Sequence, residues 1–189
     1  MPLTAVTFDF HNTLAVCDEW FDLEVRSIVP RFLEWYQSGS GVVVPDDTRA
    51  EAARLYRVLR EDIMLHGLEH DAAICAQHTL GLLGIPISPH VVARGIDDVM
   101  RGTLPGSLPV AGAIDTVRAL HSAGIPLAVV SSAAHHPFLE WSLAKFGILD
   151  AFEFIGSSAT IGYYKSNCRI YERVLERLGS APDEVVHVG

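Results

Sequence analysis

Hydrophobic residues follow two different spacings along the chain. Short, continuous apolar runs rich in β-branched residues predict buried strands, and longer segments with apolar residues at helical spacing predict amphipathic helices. The predicted strands are 3–9, 126–130, 152–155 and 184–188. Helical spacing fills a long segment from about 18 to 107 and returns over 112–123, 137–146 and 168–178. Strands that alternate with helices are typical of a parallel sheet with right-handed crossovers, so the pattern predicts an α/β fold.

Turn and capping residues divide the long helical segment into four helices. The first ends at the SGSG of 38–41, and the second begins near Asp46 and Asp47. The third covers about 70–83, and Ser88-Pro89 starts the fourth. Four amphipathic helices with short links predict a small bundle. Its core is expected to contain four aromatic residues: Trp20, Phe21, Phe32 and Trp35.

The position of this bundle predicts two domains. A sheet core is expected from 1–16 and 108–189, and a helical cap from 17–107, inserted after the first strand. The chain ends directly after the apolar run 184–188, so we expect the C-terminal part of the core to be missing. The outer edge of this last strand would then be uncovered, and an uncovered apolar edge favours self-association.

Composition narrows the classes of partner. Asp plus Glu is 23 and Lys plus Arg is 14, a formal net charge of −9, which disfavours binding to nucleic acid or to an anionic membrane. No apolar run approaches the roughly 20 residues that span a bilayer, and the N-terminus does not resemble a signal peptide. Three widely spaced cysteines match no zinc-binding pattern and favour free thiols. We therefore expect a cytoplasmic protein that acts on a small molecule.

Candidate chemistry lies where the strands end, since open parallel sheets bind ligands beyond the carboxyl ends of their strands. The first strand ends at Asp9, and the strand at 126–130 ends at Ser131-Ser132. Lys165 precedes the helix 168–178 and is one of only two lysines, the other being Lys145. A carboxylate nucleophile, a hydroxyl and a lysine at one edge suit phosphoryl transfer. Strand register favours Ser131 over Ser132 as the working hydroxyl, but leaves both open.

Four segments carry these residues in order along the chain: VTFDFHNTL, LAVVSS, YYKSNCRIYERVLERLG and EVVHVG. Together they resemble the motifs of the haloacid dehalogenase-like (HAD) hydrolase superfamily, in the subgroup with a helical cap inserted after the first motif. The resemblance covers the whole chain. It implies a Rossmann-like parallel sheet core with an inserted four-helix cap.

The resemblance also implies roles for single residues. Asp9 would be the nucleophile that forms an aspartyl-enzyme intermediate, and Lys165 would pair with Asp9 and the phosphate. The phosphate-binding candidates are Asn12, Thr13, Ser131 and Ser132. Mg²⁺ would be held by Asp9, by the backbone carbonyl of His11, and by an acid after the fourth motif. That acid is absent because the sequence stops at Gly189, which leaves open whether the chain as given is active.

His11 departs from the resemblance, because related phosphatases carry an aspartate there as general acid and base. Loss of such a group typically costs about 10²–10⁴ in rate, although an imidazole can itself transfer protons. The first hypothesis is an Mg²⁺-dependent phosphatase acting on a small phosphorylated metabolite. Haloacid dehalogenation or phosphonate hydrolysis on the same aspartate is an alternative, and a non-catalytic ligand-binding or regulatory domain is another.

Overall fold

A four-stranded parallel sheet forms the centre of the fold. The computed structural model describes residues 3–189, so the first two residues of the predicted core lie outside it. The strands of the described residues are β1 (Ala5–Phe8), β2 (Ala15–Val16), β3 (Leu108–Pro109), β4 (Leu127–Ser131), β5 (Phe154–Ser157) and β6 (Val185–Val188). Their order in the main sheet is β5-β4-β1-β6, with every neighbouring pair parallel. The predicted α/β fold with a parallel sheet is confirmed.

The predicted helices are present, with ends that differ by a few residues. The helices of the described residues are α1 (Asp18–Asp22), α2 (Ile28–Ser40), α3 (Asp46–His66), α4 (Ala72–Leu82), α5 (Pro89–Thr103), α6 (Ala113–Ser122), α7 (His136–Lys145), α8 (Ser158–Ile161) and α9 (Arg169–Leu178). The first predicted cap helix is divided into α1 and α2, and the short α8 was not predicted. A π-helical turn, Leu23–Ser27, joins α1 to α2. We call α1–α5 the cap helices. The predicted limits of the two domains, 1–16 with 108–189 and 17–107, stay predictions.

The two faces of the sheet pack against different helices because side chains alternate along each strand. Val129 of β4 belongs to the large apolar cluster that continues into the cap helices. Its neighbour Val130 faces the other way and packs with Ile170 and Val174 of α9. Every residue of β1 and β4 is buried. These two central strands therefore hold their carboxyl ends rigidly at one edge of the sheet.

Two features near the cap were not predicted. The short strands β2 and β3 pair antiparallel where the chain enters and leaves the cap helices. Lys145, at the end of α7, donates hydrogen bonds to the carbonyl oxygens of Leu104, Pro105 and Ser107 at 3.0, 3.0 and 2.7 Å. Lys145 thus holds the segment 104–107, which follows α5, at the end of α7.

Two predictions from the sequence concern the surface of the molecule, namely self-association through the last strand and the lack of a membrane-spanning segment. The strand β6 lies at the edge of the sheet with Val186 and Val188 exposed, and self-association through this strand stays a prediction. Within residues 3–189, no helix combines the length and the apolar character that crossing a bilayer requires.

Candidate active site

An ion pair between Asp9 and Lys165 marks the site. Asp9 directly follows β1, and Lys165 lies in the loop before α9. Lys165 Nζ lies 2.6 Å from Asp9 Oδ1, with both side chains only partly exposed. The same oxygen accepts a hydrogen bond of 2.6 Å from the backbone N–H of Phe10. The structure therefore brings two of the three predicted catalytic residues, Asp9 and Lys165, together at the carboxyl edge of the sheet.

The backbone of Asp9 is fixed by the neighbouring strand. Its N–H donates to the carbonyl oxygen of Val188 at 2.8 Å, which extends the pairing of β1 with β6. Gly189 approaches closely, since a Cβ atom there would lie 3.0 Å from the Asp9 Cβ. Only a residue without a side chain fits this position without displacing its neighbours.

The loop after Asp9 is a tight turn around one carbonyl. The Phe10 oxygen accepts hydrogen bonds from the N–H groups of Thr13, Leu14 and Ala15 at 3.3, 2.9 and 3.0 Å. Asn12 adopts a φ of 63°, a conformation that asparagine tolerates better than most residues. Asn12 is exposed and Thr13 half-buried. Their assignment to phosphate binding stays a prediction.

The two serines after β4 differ in their contacts. Ser132 Oγ accepts a hydrogen bond of 3.1 Å from the backbone N–H of Lys165. Ser131 is buried and ends β4, two residues beyond Val129, which lies opposite Phe8. Within residues 3–189, no side-chain hydrogen bond of Ser131 is formed. Ser132 is thus bound to the loop 162–168 that carries Lys165, which we call the lysine loop. The hydroxyl of Ser131 stays available.

His11 is turned toward the cap helices. Its Nε2 lies 3.1 Å from Asp18 Oδ1 at the start of α1. Its ring stacks on Phe21, with centroids 4.6 Å apart and planes 16° apart. Phe21 is 40% exposed, so its expected place in the bundle core is wrong. The π-helical turn that follows α1 changes the phase of the helix, and only Trp20 of this pair is buried.

Tyr171 and His187 flank the ion pair, and sequence reasoning missed them. Burial, then the charge of Asp9, raises the pKa of Tyr171. Burial and the Lys165 ammonium lower the pKa of His187, whose Nδ1 lies 2.9 Å from Thr7 Oγ1. The position of His187 beside Asp9 follows from the register of β6 on β1, which no local sequence pattern reveals.

The loop after Asp9 can supply oxygen atoms as metal ligands. The Asp9 carboxylate and the His11 carbonyl are hard donors of the kind that Mg²⁺ prefers. Among residues 3–189, no group of three or more His, Cys, Asp or Glu side chains is suited to hold a metal ion. The donor set resembles sites in which Mg²⁺ keeps several waters and takes one or two protein carboxylates.

The sequence profile of haloacid dehalogenase-like hydrolases matches residues 3–189. The chain belongs to this family. Two archaeal glyceraldehyde 3-phosphate phosphatases are similar to it over 99% of its length. The protein of Methanopyrus kandleri is 26% identical over 188 residues, or 75% of that relative. The protein of Methanothermobacter thermautotrophicus is 29% identical over 188 residues, or 76% of that relative.

Solved structures show the same fold. A HAD phosphatase from Thermococcus onnurineus superposes with a TM-score of 0.63 at 20% identity, covering 100% of this chain and 77% of that one. At this identity the likeness concerns the fold alone. As a HAD-like hydrolase, the chain carries Asp9 and Lys165 in a direct ion pair, and it departs from the resemblance at His11, which is held by Asp18.

Proposed function

We propose that this HAD-like hydrolase is an Mg²⁺-dependent phosphatase that acts on a small phosphorylated metabolite through an aspartyl-phosphate intermediate. The observation that carries the proposal is the ion pair of 2.6 Å between Lys165 and Asp9, at the carboxyl end of a central strand. A carboxylate held beside a lysine can attack phosphorus while the lysine compensates the negative charge of the phosphoryl group.

In the first step the Asp9 carboxylate attacks the phosphorus atom, and a new acyl phosphate O–P bond forms. The ester P–O bond breaks, and the leaving alkoxide takes up a proton from solvent to become an alcohol. Lys165 and the hydroxyl of Ser131 stabilise the charge on the transferring group. Ser132 acts indirectly, since its hydroxyl holds the backbone of Lys165.

In the second step a water molecule attacks the acyl phosphate, which releases inorganic phosphate and restores the Asp9 carboxylate. His11 is the candidate to assist this water. Asp18 and Phe21 fix its ring, with Nε2 directed at the Asp18 carboxylate. The other ring nitrogen, Nδ1, then accepts the proton from water.

The residues that would hold Mg²⁺ are Asp9, through its carboxylate, and His11, through its backbone carbonyl. When bound, Mg²⁺ supplies positive charge that neutralises the phosphate oxygens. The hard oxygen donors of these two residues support this assignment.

The relatives support a triose phosphate as the first substrate to test, because both curated relatives are named glyceraldehyde 3-phosphate phosphatase. These relatives are 26 and 29% identical to the chain, so the proposal extends to a substrate class and not to one named substrate. The net charge of −9 also favours a small substrate over a polyanion.

The test is phosphate release from a panel of small phosphate esters, with and without Mg²⁺. We expect Asp9→Asn to abolish turnover, because the amide cannot form the intermediate. Asp150→Asn is the matched control, since Asp150 is exposed and precedes β5 at the opposite edge of the sheet. Near-normal activity of Asp9→Asn would falsify the mechanism. Halide release from haloacids, or tight binding of esters without turnover, would instead support the other two hypotheses.

A further inference from the structure

A segment of the cap helices holds the loop that carries Lys165 on both of its sides. The backbone N–H of Tyr164 donates to the carbonyl oxygen of Gly67 at 3.1 Å. The hydroxyl of Ser166 donates to the carbonyl oxygen of Met64 at 2.9 Å. We call Met64–Glu69, which comprises the end of α3 and the three residues after it, the cap clamp. Both neighbours of Lys165 in the chain are therefore bound to it.

The cap clamp and the lysine loop pair like two short antiparallel strands. Leu68 and Tyr163 form an antiparallel bridge, and the N–H of Glu69 donates to the Gly162 carbonyl at 3.0 Å. The Lys165 N–H is bound separately to Ser132 in the core. Because the backbone is tied on three sides, the position of the Lys165 side chain depends on the cap clamp.

A buried ion pair anchors the far end of the cap clamp. Arg60 of α3 binds both carboxylate oxygens of Glu69, at 2.6 and 3.0 Å, and the two side chains are 1% and 0% exposed. The hydroxyl of Ser158 in the core also donates to Glu69, at 3.1 Å. Breaking one partner of such a buried pair is strongly unfavourable. The cap clamp therefore cannot shift freely against the lysine loop.

Gly67 is the point of closest approach between the two segments. It is buried and has a φ of +69°. A Cβ atom at this position would lie 2.8 Å from the Cβ of Asn167 and 3.2 Å from Ser166 Oγ. Real Cβ atoms do not tolerate the first distance. Any side chain at Gly67 must push the lysine loop away from the cap clamp.

We infer that Gly67 is a positioning residue for Lys165, and that the cap clamp sets where the lysine ammonium meets Asp9. The catalytic consequence rests on the proposed function, but the geometric consequence does not. A misplacement of about 1 Å in a catalytic group can cost roughly 100-fold in rate. The cap helices thus contribute to the site through backbone contacts made about 100 residues from Lys165 in sequence.

The test compares Gly67→Ala with Gly84→Ala. Gly84 has nearly the same φ, +68°, but a Cβ atom there meets nothing within 4 Å. Both variants place an alanine at nearly the same positive φ, and only Gly67→Ala adds the collision. The first readout is amine-selective labelling followed by mass spectrometry, because Lys165 and Lys145 are the only lysines. Lys145, held by three carbonyl oxygens, is the internal control.

We expect Lys165 in Gly67→Ala to be labelled about tenfold faster than in Gly84→Ala, with Lys145 unchanged. We also expect kcat to fall by about 10- to 100-fold with a smaller change in KM. Adding Asn167→Gly to Gly67→Ala removes the colliding Cβ and should restore both values in large part. Asn167→Gly alone measures the cost of that second change.

Equal labelling of Lys165 in Gly67→Ala and Gly84→Ala would overturn the inference, as would a failure of Asn167→Gly to reverse the effect. If Gly67→Ala does not fold, Ser166→Ala removes one clamp bond from an exposed side chain, and a rise of about threefold in Lys165 labelling is then expected. No rise in that variant counts against the inference. A wild-type protein without phosphatase activity would contradict the proposed function but leave the labelling test intact.

Discussion

Two residues of α1 fix the orientation of the His11 imidazole ring. Where the family resemblance implies a carboxylate, an imidazole lies between the acid at the start of α1 and the ring of Phe21. The Asp18 carboxylate is 80% exposed, so the pair adds little to stability. The pair fixes the orientation of the ring, and in the proposed mechanism it leaves Nδ1 to accept the proton.

We predict that His11→Ala slows phosphate release by about 10²–10⁴, the usual contribution of a general acid or base. Asp18→Asn should cause a smaller loss, about tenfold, because the ring is retained but less well oriented. Steady-state phosphate release measures both. Asp22→Asn is the control, since Asp22 is also exposed on α1 and pairs with Arg26 at the surface. A full rate in His11→Ala would remove this residue from the mechanism.

Three of the site residues predicted from the sequence share one property, which is that a strong local signal marks each of them. Asp9 ends a buried apolar run, Ser131 ends another, and Lys165 is conspicuous in a chain with only two lysines. Phe21 was misplaced because its spacing fits an ordinary helix, whereas a π-helical turn follows it. Gly67 gave no signal, because its contacts lie with Ser166 and Asn167, far along the chain.

The cap helices pack through a close contact between α2 and α5. Gly95 of α5 lies against the rings of Phe32 and Trp35, where a Cβ atom would come within 2.6 Å of aromatic carbons. The absence of a side chain lets the two helices approach and lets the aromatic residues fill the bundle. Gly102, on the same helix, has nothing within 4 Å of the corresponding position.

We therefore predict opposite effects for two Gly→Ala substitutions on α5. Gly95→Ala should lower the free energy of unfolding by about 1–3 kcal/mol, because the added methyl group overpacks the bundle. Gly102→Ala should leave the free energy of unfolding unchanged or raise it by up to about 1 kcal/mol through helix propensity. Urea denaturation of both variants checks the pair. If they were equally stable, the close packing of α5 on α2 would be disproved.

At the level of elements, periodicity predicted the long helices and the four main strands but not the short pieces. The pair β2 and β3 has two residues in each strand, too few for an alternation to be visible. Helix α8 has four residues and begins at a capping box formed by Ser157 and Thr160. Such elements depend on tertiary contacts, whereas a buried five-residue strand such as β4 is apparent from its composition alone.

Over the whole molecule, the buried carboxylate of Glu24 binds the core at the turn after β4. Glu24, in the π-helical turn, is 1% exposed and accepts a hydrogen bond of 3.2 Å from the N–H of His135. Burial raises the pKa of Glu24 to about 7, although the Arg60 guanidinium and backbone N–H groups oppose the shift. The nearby carboxylate of Glu69 adds to it. The folded state, in which Glu24 contacts this turn, is therefore more stable when Glu24 is protonated.

The sign of the pH dependence follows from proton binding. Between the usual glutamate pKa of 4.5 and the folded value of about 7, the folded protein binds the proton that the unfolded chain has lost. Stability due to this group is therefore fully present below pH 4.5 and is lost as the pH rises to about 7. The loss amounts to about 3 kcal/mol. Burial lowers the pKa of His135, whose protonation acts in the opposite direction, so the comparison must be made between variants.

We predict that Glu24→Gln removes this dependence, because the amide keeps an acceptor oxygen for the His135 N–H but does not ionise. The difference in free energy of unfolding between Glu24→Gln and wild type should therefore rise in favour of the variant from pH 5 to pH 8, by about 3 kcal/mol. Urea denaturation at several pH values measures it, with Glu19→Gln, an exposed neighbour on α1, as the control expected to show no slope. His135 contributes equally to both proteins and cancels. A difference that stays flat, or that falls with pH, would mean that Glu24 is ionised in the folded protein. The positive charge of Arg60, rather than burial, would then determine the pKa of Glu24.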